Sequence, residues 1–262
     1  MKSSIRILFG LFGILLSVSA FAQVNREVTA STAIATAIVR LGGSSQTDSL
    51  ALGTVEFTQS RSNESGTARI VTKGSEQTRE EIIALTSGKL QVYSRGRTNE
   101  IVSGAPKNKV FNALNSSSFE LELTAQSAAF PLPWLINKYV NPDQAFEVVA
   151  DGGATSNVVH LRITNTFASD PNLQRYASLT TSDVWLDAQT GLPRKIGFER
   201  REASGATPAI PVAYEYSDYR TIQGVTYPFS IRKYVNGTLW AVITIQSVSV
   251  NSGVLDSEFA LQ

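Results

Sequence analysis

The hydrophobic positions of this chain change period along its length, and the changes divide it into elements. In STAIATAIVRLGG (31–43), Ile34, Ile38 and Leu41 recur at helical spacing, with Ser31 or Thr32 as a cap and Gly42-Gly43 as the stop. The other positions are mostly Ala and Thr, so the apolar stripe is narrow and the helix is expected to pack on a sheet. From Gly53 the period falls to two. Val55 and Phe57 alternate with Thr54, Glu56 and Thr58, the pattern of a half-buried strand. TARIVTKG continues it. REEIIALTSGKLQVYS reads as a hairpin turning at Ser87-Gly88, with Leu90 and Val92 on one face, and RTNEIVSG is a further strand candidate.

Between Lys107 and Asn141 the pattern is mixed. FELELTAQSAAF alternates at Phe119, Leu121 and Leu123 but ends Ala-rich, so strand and helix both stay open. FPLPWLINKYV is the most apolar and aromatic stretch beyond the N-terminus. Pro131 and Pro133 suit a loop leading into a short helix at Pro133, with Trp134, Leu135 and Tyr139 available for contact. Such a helix is either core or a lid over an apolar cleft.

From Ala145 alternation returns. AFEVVADGG pairs with NVVHLRITN, where Val159, Leu161 and Ile163 share a face, and SDVWLDAQTGLPRKIGFERRE turns at Gly191 and Pro193. IPVAYEYSDY, TYPFSIRKY and LWAVITIQSVSVN follow, with Asn236-Gly237 as a hairpin turn. Pro228 is compatible only with an edge, a bulge or a strand start. Roughly ten strands joined by short turns make an antiparallel meander. In LWAVITIQ, Leu239, Ala241, Ile243 and Ile245 alternate with Trp240, Val242 and Thr244, so both faces are largely apolar and both need cover. Either a helix lies across the second face or that face lines a cavity; a wide curved sheet wrapped around a helix does both.

Composition adds an address. Lys2 and Arg6 precede an apolar run from Ile7 to Val18, too short to span a bilayer comfortably, and Ala20-Phe21-Ala22 offers a small-x-small cleavage pattern. Residues 1–22 are therefore expected to be a signal peptide cut after Ala22, leaving 23–262 as one domain without a Pro- or Ser-rich divider. Removing Lys2 and Arg6 leaves 21 basic against 22 acidic side chains, which is no electrostatic footprint for nucleic acid or an anionic membrane. The chain has no cysteine, so the fold must be held by its core, and export without disulfides fits a bacterial periplasm. Asn63-Glu64-Ser65, Asn115-Ser116-Ser117 and Asn236-Gly237-Thr238 are read there as chance matches to a glycosylation pattern.

Reactive chemistry is hard to place. A serine triad would need His160, the single histidine, as its base, yet no nucleophile elbow occurs, and one His with no Cys excludes the usual zinc sets. Adjacent Glu80 and Glu81 point to opposite faces of a strand. Asp183 and Asp187 share a face but lie ~13 Å apart along it, too far for glycoside hydrolysis. Asp151-Gly152-Gly153 is a turn rather than a phosphate cradle. The expectation is a non-enzymatic protein with no cofactor and no metal.

The ending YSDYRTIQGVTYPFSIRKYVNGTLWAVITIQSVSVNSGVLDSEFAL resembles the C-terminal repertoire of the outer-membrane lipoprotein-sorting (LolA/LolB-like) superfamily. The resemblance rests on Asp218-Tyr219-Arg220, Gly224-Val225, Pro228, Asn236-Gly237, a strand ending at Asn251, and Asp256 with Phe259. VWLDAQTGLPRKIGF, with Asp187, Thr190, Gly191 and Pro193, is similar to that family's strand-turn-strand, and Leu41-Gly42-Gly43 before a strand from Gly53 also fits. The resemblance implies a mainly β (α+β) fold, a curved antiparallel half-open β-barrel with a few helices covering the concave face and an apolar cavity for acyl chains. The carrier's lipid-contacting arginine has no clear match, Arg79 in QTREEI occupying a plausible strand and nothing more, and the lack of cysteine excludes a membrane-anchored receptor version. The expected function is a periplasmic carrier or binding protein for a lipid, a lipoprotein acyl chain or another apolar ligand. The alternative is an envelope protein-interaction or sensory domain on the same scaffold with a filled core. The expected ligand-facing residues are Val55, Phe57, Leu90, Val92, Val159, Leu161, Ile163, Trp240 and Val242, with Trp134 and Leu135 at the mouth.

Overall fold

The computed structural model describes residues 26–43, 48–58, 64–75, 77–85, 90–95, 101–104, 127–150, 157–200 and 208–260, without the side chains of 90–93, 95, 101–104 and 200. The expected signal segment, the turn at Ser87-Gly88, most of FELELTAQSAAF and the turn at Asp151-Gly152-Gly153 lie outside the described residues.

Among the described residues, period-two alternation becomes one antiparallel sheet of twelve strands. They are β1 (Asp48–Phe57), β2 (Ser65–Lys73), β3 (Gln77–Ala84), β4 (Leu90–Arg95), β5 (Ile101–Gly104) and β6 (Gln144–Val148). Then come β7 (Val158–Asn165), β8 (Ser182–Asp187), β9 (Pro193–Arg200), β10 (Ile210–Ile222), β11 (Val225–Val235) and β12 (Thr238–Val250). The spatial order β5-β4-β3-β2-β1-β12-β11-β10-β9-β8-β7-β6 joins two meanders along a β1·β12 seam. Among the described residues β5 and β6 are the two outer strands, and the sheet stays open. Helix α2 (Pro131–Val140) lies in the chain between β5 and β6.

Hairpin chemistry sets the registers. Asn236 and Gly237 take φ of 51° and 73°, and Gln223 and Gly224 take 49° and 84°, the left-handed pair a two-residue hairpin loop demands. At the 187–193 turn the Asp187 carboxylate accepts from Gln189 N, Thr190 N and Thr190 Oγ1, and Gly191 supplies a φ of 72°. Three bulges bend the sheet, at Leu52/Gly53, Lys233/Tyr234 and Trp185/Leu186. Gly53 is required at the first, because a Cβ there would lie 2.4 Å from Thr244 O. Pro228 sits inside β11 opposite Tyr219, where β12 has already left β11: their pairing stops at Ser230↔Thr244, so this stretch of β11 is locally an edge.

The helices cover the concave side. Helix α1 (Val28–Leu41) begins a turn before the expected cap, with Glu27 rather than Ser31 or Thr32 at its N-cap position. The reason is packing: Ala30, Ile34, Ala37 and Leu41 form the fully buried stripe, so the apolar face starts at a small residue that periodicity of large side chains overlooks. Gly42 and Gly43 end α1 by donating to Val39 O and Ile38 O. α2 likewise begins at Pro131 rather than Pro133, and both prolines fit because first-turn N–H groups have no intrahelical partner. Arg26 and Glu27 run beside β6, with Glu27 N donating to Phe146 O and Val148 N to the Glu27 carboxylate, which covers that sheet edge.

Candidate functional site

Strand parity sends Glu80 and Ile82 of β3, Tyr214 and Tyr216 of β10, and Tyr227, Phe229, Ile231 and Lys233 of β11 to the concave side. β3 and β11 are four places apart in the sheet, so a flat sheet would separate their backbones by about 19 Å. Yet Lys233 Nζ donates to Glu80 Oε1 at 2.7 Å, which requires the sheet to curl until these strands face each other. The space between them is occupied by residues 127–136. Phe130, Leu132, Trp134, Leu135 and Ile136 are each at most 8% exposed, and the Phe130 ring stacks on Tyr227 with centroids 4.1 Å apart.

At the centre of this apolar wall stands a polar cluster. The Glu80 carboxylate accepts from Ser127 Oγ at 2.5 Å and from the Tyr214 hydroxyl at 2.8 Å, besides Lys233. Tyr216 donates to Ala128 O at 2.5 Å, so both strands tie the start of the inserted segment. Burial alone would push the Glu80 carboxyl up. The Lys233 charge and the three hydrogen bonds outweigh it and hold the group below its ordinary value. Burial, reinforced by the Glu80 charge, pushes Tyr214 well up, and burial does the same for Tyr216 and Tyr227, so all three remain phenols. Lys233 Nζ also lies 5.1 Å and 5.3 Å from the ring centres of Tyr214 and Trp240. The Tyr227 hydroxyl is buried without a hydrogen-bond partner among the described residues.

Most of the expected ligand-facing residues gather at this wall. Val55, Leu135, Leu161 and Ile163 are wholly buried in one core cluster with Trp134, and Phe57, Val159 and Trp240 pack against its margin. Trp240 reaches that side for a reason alternation hides: it is the extra residue of the β11/β12 bulge, which turns it with Ala241 toward Lys233 and sets it edge-on to Phe57 at 5.3 Å. Val242 is placed differently from the expectation. It pairs with Glu56 and Arg232, both exposed, and so stands on the convex face. The side chains of Leu90 and Val92 lie outside the described residues. Arg79 also points to the convex side, where it donates to Glu258 O and Ala260 O rather than toward a lipid. Sequence reasoning missed Glu80, Lys233 and the tyrosines as site residues, although parity contained the signal, since Glu80 shares a face with Ile82 and Lys233 with Ile231.

His160 is on the outer face of β7, 2.9 Å from Asp183 Oδ1 and stacked on Trp185 at 4.5 Å, in a cross-strand ladder that continues to Lys195. Among the described residues, open grooves also lie outside the concave wall. One of about 560 Å³ runs beside α1 between Arg26 and Arg40, and one of about 650 Å³ lies over Gly197 and Ala213 on the convex face.

No protein-family model matches the sequence, and no curated protein is significantly similar to it. Solved structures do match in fold. An outer membrane lipoprotein-sorting protein domain from Vibrio parahaemolyticus superposes with a TM-score of 0.54 at 13% identity, over 86% of this chain and 94% of that one. A LolA superfamily protein from Nitrosomonas europaea gives 0.52 at 13% identity, over 89% and 98%. A DUF1329 family protein from Desulfovibrio piger gives 0.52 at 14% identity, over 91% and 100%. The curled open sheet with helices on its concave side is thus the fold that these structures have, matched here at 13–14% identity.

Proposed function

We propose that the protein is an exported, non-enzymatic binding protein of the bacterial periplasm, and that its concave wall takes an apolar ligand, a lipid or a lipoprotein acyl chain. What supports this reading is the present occupant of the wall. Residues 127–136, from the chain between β5 and β6, fill it with Phe130, Leu132, Trp134, Leu135 and Ile136. An acyl chain offers the same kind of surface at about 0.8 kcal/mol per buried methylene, so it can replace those side chains with little net change. The inserted segment is then a displaceable cover, joined to the sheet through Ser127 and Ala128.

Native mass spectrometry of the mature chain, together with titration by a fluorescent fatty acid, tests the reading. A retained lipid or saturable binding with a change in tryptophan emission is expected; no adduct and no binding would remove it. The filled-core alternative, an interaction or sensory domain, is favoured by one observation: Val55, Leu135, Leu161 and Ile163 have no solvent exposure at all. It predicts an envelope protein recovered by pull-down and no lipid adduct.

A further inference from the structure

We infer that the concave wall selects the head of its ligand as well as the tail, taking a neutral amphiphile whose head carries one hydrogen-bond donor and one carbonyl oxygen, with Glu80, Tyr216 and Lys233 as specificity-determining residues. The inference rests on the reading of the concave wall as a ligand site and adds what that reading leaves open.

A wall meant only for hydrocarbon has no use for ions. This one buries a carboxylate and three phenols among Ile70, Ile82, Phe229 and Ile231, with a half-buried ammonium beside them. The inserted segment shows what satisfies them. Within four residues it supplies a hydroxyl donor to Glu80 from Ser127, a carbonyl acceptor to Tyr216 from Ala128, and a flat apolar group to Tyr227 from Phe130. A ligand that displaces these residues inherits their partners. A bare alkyl chain would take one of the two donors from Glu80 Oε2, which keeps Tyr214, and would leave the Tyr216 hydroxyl without an acceptor, and a buried polar group left unpaired is costly.

The charge balance narrows the head further. Lys233 sits 2.7 Å from Glu80, so the pair is neutral as a unit. A carboxylate head would meet Glu80 as a like charge, and an ammonium head would meet Lys233 in the same way. An uncharged amide or hydroxyl head meets neither penalty. The Tyr227 hydroxyl, buried and without a partner among the described residues, offers a second donor to a head carbonyl.

The test compares three probes with the same sixteen-carbon tail on the delipidated mature protein: N-hexadecanoyl serinamide, hexadecanol and hexadecanoate, each measured by displacement of a bound fluorescent fatty acid. Serinamide is expected to bind on the order of tenfold more tightly than either of the others, the scale of one satisfied buried hydrogen bond. Tyr216→Phe keeps the ring and removes one donor. It should lower serinamide affinity toward that of hexadecanol while leaving hexadecanol itself unchanged, whereas a merely structural role would move both together; circular dichroism confirms the fold. Equal binding of all three probes by the unaltered protein overturns head selection and leaves the carrier reading standing. A serinamide preference that survives in Tyr216→Phe overturns the assignment of Tyr216. Failure of every probe to bind overturns both.

Discussion

Replacing Glu80 by glutamine preserves the shape of the side chain and removes the charge that Lys233 faces. The ammonium would then be left nearly enclosed, 15% exposed, beside the rings of Tyr214 and Trp240. Breaking a buried pair from one side costs about 3–5 kcal/mol, and the residual exposure of Lys233 places the expected loss for Glu80→Gln near the low end. Glu80→Gln combined with Lys233→Met should recover most of that loss, because the methionine stem fills the same path without a charge. Urea unfolding of the two variants checks this. The pH dependence follows from the direction of the Glu80 shift. Its carboxyl is held below the ordinary 4.5, so the unfolded chain takes up a proton first as the solution is acidified. The stabilisation from the pair is complete above the unfolded value and is lost as the pH falls through the lower folded value. Asp187 and Asp218 are also lowered and act in the same direction, so the readout is the difference between unaltered protein and Glu80→Gln in urea midpoints from pH 6 downward. That difference should shrink with acidification.

At the scale of elements, the seam between the two meanders depends on close backbone approach. Gly53→Ala would drive a Cβ to 2.4 Å from Thr244 O, in backbone with no side chain to move aside. The expected cost is about 1–3 kcal/mol, seen as a lower thermal midpoint, since the bulge must open to accept it. Gly237→Ala, at a φ of 73° with open space around it, should cost less, about 1 kcal/mol, from the left-handed conformation alone. These two glycines also mark what was legible in the sequence. Asn236-Gly237 is a local signal, and the structure keeps the hairpin where alternation placed it. Gly53 is different, because the bulge it allows depends on β12, nearly two hundred residues later. A bulge shifts parity by one, which is why Trp240 and Val242 were read as sharing a face when the structure separates them. The ionic centre was half legible. Parity places Glu80 and Lys233 on apolar faces, but their meeting depends on a curl across four strand spacings that no local pattern encodes.

Curl is a property of the whole molecule, and an open sheet needs ties to keep it. One tie is internal, from Glu80 across to Lys233 and Tyr214. A second lies on the convex side, where the chain leaves β12 and the turn Asp256–Phe259 folds back over β2, β3 and β4. Arg69 pairs with Glu81 and Glu258, Lys73 with Asp256, and Arg79 donates to Glu258 O. Ser94 Oγ donates to Phe259 O at 2.8 Å, and Phe259 itself is buried at 2% exposure. The ion pairs are partly exposed and individually weak, so the buried phenyl ring should carry most of the attachment. Phe259→Ala is therefore expected to destabilise by about 3–5 kcal/mol, with an effect that is regional in origin. Amides of β2 and β3 should exchange with solvent faster than in the unaltered protein, while those of β8, β9 and β10 keep their protection relative to global unfolding. Arg79→Ala, which removes half-buried polar contacts but leaves the phenyl ring in place, should shift the same amides less. Because β3 carries Glu80, loosening the outer tie also misaligns the inner one. Phe259→Ala should thus bind an apolar fluorescent dye more readily than the unaltered chain, although the substituted residue lies on the opposite side of the sheet from the wall that the dye would reach. Uniformly faster exchange across all strands, with no gain in dye binding, would mean that the turn stabilises the fold without setting its curl.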